Sequence, residues 1–264
     1  TVTGVQTCAL PIYPERIFLS PPHMSGRERD LVGEVFDSNF IAPAGPMITR
    51  FENEFCALTG HKSAAALSSG TGAMDIALRM LGVTTGDEVW VANLTFIGGD
   101  RIVTTCDAYD IPVVVDAAES VGARYKDRHA GKGARMAVYS FNGNKIITTA
   151  GGGMLASDDE ELIARARYLS QQARQPVPHY EHTETGYNYR MPSLCAAVGV
   201  GQLEVLAERV ARRREIFDTY AQAFADLEGV DMMPEADYGT ANRWLSVLTL
   251  DPETVAKSPM EVIA

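Results

Sequence analysis

The sequence predicts an α/β protein whose layered sheet carries ligand chemistry at the carboxyl ends of its strands. Three observations predict it. Short apolar runs alternate with stretches of helical periodicity as far as residue 193 of the 264-residue chain. The run IPVVVD, residues 111–116, is continuously apolar until it ends in a carboxylate, as expected of a parallel strand covered on both faces. The segment S-S-G-T-G, residues 68–72, comes after the short apolar run AAAL and opens a new periodic stretch.

In chain order, Leu31, Val32, Val35 and Phe36 fall at helical spacing between Ser25 and Asn39, and Phe51 and Phe55 repeat the pattern between Met47 and Leu58. A third helix begins after S-S-G-T-G and stops at Gly82, a residue that commonly ends helices. T-G-D-E-V-W-V-A, residues 85–92, reads as a turn and a strand, and Arg101 to Tyr109 as a short helix. After the 111–116 strand, MAVYSF (136–141) and GGMLAS (152–157) add two more, and IITT (146–149) looks like another. Residues 159–173 form an amphipathic helix with acidic residues in its first turn, where the helix dipole favours them. Residues 193–227 read as one long helix, and a second, smaller unit begins there. WLSVLTL (244–250) is a strand still in need of partners.

Composition narrows the function classes. With 46% hydrophobic residues the chain can bury one large core, or one large and one small. A net charge of -11 argues against nucleic acid or a membrane surface as the main partner, since the basic residues form no block beyond ERVARRRE, residues 208–215. No apolar run reaches the length of a membrane-spanning helix. Cys8, Cys56, Cys106 and Cys195 lie far apart with no C-x-x-C pair, which favours a reduced, cytoplasmic chain over a disulfide framework or a zinc site. Residues 1–15 fit poorly with the rest of the chain; TVTGVQTCALPI resembles translated sequencing-adapter sequence and is taken as a non-native leader. The expected units are then 16–205 and 206–264.

Three features carry chemistry. The S-S-G-T-G turn leaves backbone N–H groups unpaired at the positive end of a helix, which suits a phosphate, although small residues also cap helices with no ligand at all. Asp116 projects a carboxylate at the end of a strand, to pair with a cation such as a protonated ring nitrogen or simply to cap the next turn. Lys145 sits between apolar runs, after an Asn-Gly turn, where full exposure is disfavoured; a partly desolvated lysine is a usable amine nucleophile. Ser140 offers a hydroxyl toward the same edge. Phosphate cup, strand-end Asp and lysine, in that order, match the needs of pyridoxal phosphate.

At these residues the sequence resembles a known family. SSGTGAM, GDEVWVANLTF, VVVDAAESVGA, YSFNGNKIITTAGGGM and HTETGYNYRM, in this order, are similar to the DegT/DnrJ/StrS sugar aminotransferases. The resemblance implies the fold-type I, aspartate aminotransferase-like architecture: a three-layer α/β/α large domain with a shortened sheet, and an incomplete small C-terminal α/β domain. It implies that Lys145 binds the cofactor's aldehyde and then moves protons as general base, that Asp116 keeps the pyridine nitrogen protonated, and that Gly70, Thr71 and Ser140 hold the phosphate. Phe96 would stack on the ring, and Asn188, with Arg190 as a second contact, would reach the cofactor of the neighbouring subunit in a homodimer with shared active sites. Glu119 stands near the cofactor's phenolic oxygen, where many relatives carry Gln or His. Family dehydratases replace the lysine by histidine, so Lys145 favours transamination.

FNGNKIITT and PHYEH (178–182) are similar to the branch that aminates UDP-linked 4-keto-6-deoxy-N-acetylhexosamines, with glutamate as amino donor, for glycan or polysaccharide assembly. His179 and His182 lack a third ligand and are read as loop residues, so no metal is expected. The sequence also departs from the family. Phe96 and Asp116 are only twenty residues apart, whereas relatives insert several dozen more, supplying two strands of the large sheet, so a segment is missing near residues 98–101. The small domain is expected to be truncated as well. A non-catalytic remnant that keeps the motifs without a working site is therefore the alternative. A dinucleotide-binding Rossmann unit would need G-x-G-x-x-G, which SSGTGAM does not supply.

Overall fold

A computed structural model describes residues 19–91 and 99–263. Its large sheet has four strands: β1 (Ser63–Leu67), β2 (Val114–Asp116), β5 (Met136–Ser140) and β6 (Gly153–Ser157), in the order β1-β6-β5-β2. β2 and β5 run parallel, while β6 is antiparallel to both β1 and β5, so the sheet is mixed. Alternation along the strands sends Ala64, Ala66, Ala137, Tyr139, Met154 and Ala156 to one face. There α1 (Arg27–Ser38), α2 (Pro46–Thr59) and α6 (Ser193–Glu204) cover them with Leu31, Phe51, Phe55 and Val200. Ala65, Leu67, Met136, Val138 and Leu155 face the other way, against Ile76 of α3 (Gly70–Met80) and Ile163 and Leu169 of α5 (Glu160–Ser170). This is the expected three-layer α/β/α arrangement. Close approach explains one glycine of α6: a Cβ on Gly199 would lie 2.5 Å from the Phe51 ring.

Smaller strands surround this core. β3 (Arg124–Tyr125) pairs with β4 (Arg128–His129) and with β8 (Gly239–Thr240), and β7 (Val230–Met232) pairs with β9 (Leu248–Leu250), which gives the second half of WLSVLTL its partner. α4 (Gly99–Asp107) and the short α8 (Pro259–Ile263) complete the described elements. No helix among the described residues is long and apolar enough to cross a membrane.

Four local expectations are corrected. The long helix over 193–227 is two helices, α6 and α7 (Leu206–Phe224), broken at Val205 where the chain passes from a buried to a largely solvated helix. Residues 85–91 form no strand: Trp90 is 85% and Val91 81% exposed, and among the described residues no strand stands beside this apolar run to give it a ladder. Residue 92 of that expected strand lies outside the described residues. IITT is buried yet is not a strand; Thr149 N donates back to Phe141 O (2.9 Å) and Thr148 N to the Gln202 side chain (3.3 Å). The 111–116 run yields only a three-residue strand, half-buried rather than covered on both faces, and among the described residues it pairs on one side alone.

Candidate active site

The carboxyl ends of β1, β2 and β5 meet around one cavity of about 620 Å³. Beyond β1, Ser69 caps α3: its Oγ accepts from Gly72 N at 2.9 Å. That leaves Gly70 and Thr71, whose amides have no intrahelical acceptor by position, lining the cavity with the Thr71 hydroxyl. The approach is tight from behind. A Cβ on Gly153, the first residue of β6, would collide with Gly70 N, so only glycine lets the strand abut this helix start. Ser140, at the end of β5, lines the same cavity beside Gly70.

Asp116, at the end of β2, also lines the cavity, and its Oδ1 accepts from Ala118 N at 3.1 Å. One oxygen thus ties the next turn, as the capping reading expects, while the residue stays exposed and lines the cavity.

Lys145 ends the Asn-Gly turn, with its amide donating to Asn142 O at 3.0 Å. Its side chain is only 12% exposed, and Nζ lies 2.8 Å from Glu119 Oε1 and 4.7 Å from the centre of the Trp244 ring. The lysine is therefore partly desolvated, as the flanking apolar runs require, and its amine is ion-paired and held against an aromatic face. Gly70, Thr71, Asp116, Ser140 and Lys145 thus share one cavity, and Glu119 reaches it through Lys145.

Asn188 and Arg190 are not brought to this cavity. They line a second one, also about 620 Å³, with Tyr168, Arg174 and Tyr180. Arg190 is committed elsewhere: its Nη1 donates to Glu52 Oε1 (2.5 Å) and Ala66 O (2.8 Å). Phe96 lies outside the described residues. His179 contacts Glu181 and His182 contacts Gln172 O, each within its own loop neighbourhood. Sequence reasoning missed Asn142 and Asn144, which line the cavity, and Trp244, which covers Lys145. The asparagines flank the turn glycine and were within reach of a turn argument; Trp244 carried no local signal.

The donor set suits pyridoxal phosphate. Helix-start amides that have no intrahelical acceptor by position, with the Thr71 and Ser140 hydroxyls, fit its phosphate, the Asp116 carboxylate a protonated ring nitrogen, and the shielded Lys145 amine its aldehyde.

A model of the DegT/DnrJ/EryC1/StrS aminotransferase family matches residues 22–104 and 99–263, two stretches that meet at 99–104. A Bacillus subtilis protein named as a pyridoxal phosphate-dependent aminotransferase, EpsN, is 43% identical over 294 positions, covering 90% of this chain and 76% of EpsN. That alignment is longer than the whole 264-residue chain, so EpsN carries internal residues with no counterpart here. The GDP-perosamine synthase of Caulobacter vibrioides is 33% identical over 263 positions, covering 80% of this chain and 71% of that enzyme. Among solved structures, the aminotransferase TlmJ from Streptoalloteichus hindustanus superposes with a TM-score of 0.84 at 25% identity, covering 90% of this chain and 80% of TlmJ.

Proposed function

Because the chain belongs to the DegT/DnrJ/EryC1/StrS aminotransferase family, we propose that it is a pyridoxal-phosphate-dependent enzyme that transfers an amino group to a nucleotide-linked 4-keto-6-deoxy sugar. The observation that carries this reading is Lys145, 12% exposed at the mouth of a cavity that also holds Asp116 and the Ser69-Gly70-Thr71 helix start. In the finer reading the substrate is a UDP-linked N-acetylhexosamine, glutamate is the donor, and the product feeds surface glycan assembly in the cytoplasm. The chain works as a homodimer, with Asn188 directed to the partner's cofactor. The position of Asn188 outside its own Lys145 cavity supports that assignment. The large unit, 16–205, holds the cofactor and 206–264 forms the small domain.

The residues divide the work. Gly70 and Thr71 amides with Ser140 anchor the phosphate; Asp116 keeps the ring nitrogen protonated. When bound, the cofactor supplies an electron sink for charge developing on the amino-bearing carbon. Lys145, shielded by Trp244, takes and returns the proton there, and Glu119 balances its charge when it is an ammonium ion.

Lys145→Ala is expected to abolish the visible absorbance of lysine-bound cofactor and to lower turnover with glutamate and a UDP-linked 4-keto sugar at least about a hundredfold. Retained absorbance and turnover would sink the assignment. A higher kcat/KM for the GDP-linked ketosugar would overturn the UDP reading while leaving transamination intact. The absence of a strand outside β2 among the described residues, and the exposed run at Val89–Val91, favour a second reading, in which the motifs persist without a working site. A purified chain that binds no pyridoxal phosphate would select it.

A further inference from the structure

Three residues near the chain's end fasten both sides of the Lys145 amine. Asn242 and Trp244 are each 7% exposed, and Arg243 between them turns the chain through a positive φ of 50°. Asn242 Nδ2 donates to Glu119 O (2.8 Å) and Val121 O (2.9 Å), while its Oδ1 accepts from Trp244 N (3.0 Å). Trp244 Nε1 donates to Asn144 O at 2.7 Å, in the turn that presents Lys145, and the indole face stands 4.7 Å from Nζ. One clip thus fixes the backbone of the ion-pair partner, the turn bearing the lysine and the amine itself.

A lysine side chain has four rotatable bonds and carries much rotamer entropy, so an ion pair with Glu119, whose side chain is 56% exposed, does little to fix it. An aromatic face over the ammonium and a hydrogen bond to the turn add what the ion pair lacks. We propose that Trp244 is a positioning residue for Lys145, holding its amine where an aldehyde bound in the cavity can be attacked. The proposal rests on Lys145 being the cofactor lysine. The competing role for Trp244 is that of a core aromatic, since it also packs within the larger apolar cluster.

The test separates the two by using two probes on the full chain. Pyridoxine 5'-phosphate has the ring and phosphate but an alcohol in place of the aldehyde, so its affinity reads the phosphate cup and the Asp116 contact to the ring nitrogen without any bond to Lys145. Pyridoxal phosphate also forms a C=N bond as Nζ attacks the aldehyde carbon and the oxygen leaves as water; added borohydride supplies the hydride that fixes the adduct for mass spectrometry at Lys145. In Trp244→Phe, which keeps a ring but loses the donor, pyridoxine phosphate affinity is expected within twofold of wild type and adduct formation to slow about tenfold. Trp244→Ala is expected to slow it further. An unchanged rate in Trp244→Phe, or an equal loss of both probes, would overturn the positioning role. An adduct that survives Lys145→Ala, or a wild-type chain that binds neither probe, would overturn the reading of Lys145 and this inference with it.

Discussion

The two edges of the large sheet are finished in opposite ways. β1 has no strand on its outer side, yet its backbone is served: Ala66 N donates to Glu52 Oε1 (2.7 Å), Ala66 O accepts from Arg190 Nη1 (2.8 Å) and Met191 N (3.2 Å), and Ala64 O accepts from Arg167 (2.5 Å). Glu52, 4% exposed, ties the two arginines together, at 2.5 Å to Arg190 and 3.3 Å to Arg167. β2 at the other edge has no strand on its outer side and no such cover among the described residues, and Val89–Val91 stand exposed with no strand to join. Natural edges are protected from pairing with other chains by charge, brevity or cover. β1 is built as a true edge; β2 has no comparable cover among the described residues, and EpsN carries internal residues with no counterpart here.

The largest effect should come from breaking the finished edge. Glu52→Gln keeps the shape but leaves Arg190, 9% exposed, and Arg167 without their shared anion. Removing one partner of a buried ion pair costs about 3–5 kcal/mol. Denaturant unfolding should show the free energy of unfolding falling by that amount, as a lower midpoint at an unchanged slope. A change under about 1 kcal/mol would mean that the β1 edge is held by the 189–191 backbone alone.

Acid should attack the covered side next. His61, just before β1, lies 3.0 Å from Tyr139 Oη, and Tyr139 donates to Ala130 O at 2.9 Å; His129 in β4 accepts from Gly122 N at 2.9 Å. Burial pushes both imidazoles down from 6.5 to about 4; Lys132 nearby reinforces the shift at His61, and a hydrogen bond to Ala130 O partly opposes it at His129. Both are neutral in the fold and take up protons more readily when unfolded. Their contribution is therefore fully present above pH 6.5 and is lost as pH falls from 6.5 to 4, by up to about 3 kcal/mol for each. Melting temperature measured across that window should fall in the wild type and fall less steeply in His61→Gln.

How far the sequence foretold this structure depends on whether the signal was local. Phe51 and Phe55, one turn apart, declared α2 and its buried face, and both lie in the core as their spacing requires. S-S-G-T-G declared a helix start, and the Ser69 cap sits there. The strand-end position of Asp116 and the turn before Lys145 were likewise legible, because each is set by a few neighbouring residues. IITT was not: an apolar run looks the same whether its amides join a ladder or, as with Thr148 and Gln202, end on a side chain 54 residues away. Arg190 was read as a cofactor contact because its motif is a family motif; that it also closes an edge through Glu52, 138 residues distant, has no trace in either segment. Trp244 and Asn242 belong with it. Their partners lie 100 and 123 residues earlier in the chain, and only the fold brings them to Lys145.

The smallest effect tests the exposed run at Val89–Val91. Trp90 is 85% exposed, with its indole Nε1 donating to Glu88 at 3.2 Å. Were residues 85–91 packed as a strand, truncating this tryptophan would remove a large buried side chain and cost about 3–5 kcal/mol. With the side chain in solvent, Trp90→Ser should stay within about 0.5 kcal/mol of wild type in denaturant unfolding. It should, however, change self-association, because three consecutive exposed apolar residues favour association with other copies. Sedimentation at increasing concentration should show less large species in Trp90→Ser than in wild type. A large loss of stability would mean that this segment has a packing partner in the fold; a neutral substitution that also disperses the chain would show that the run at Val89–Val91 is a solvent-exposed association surface.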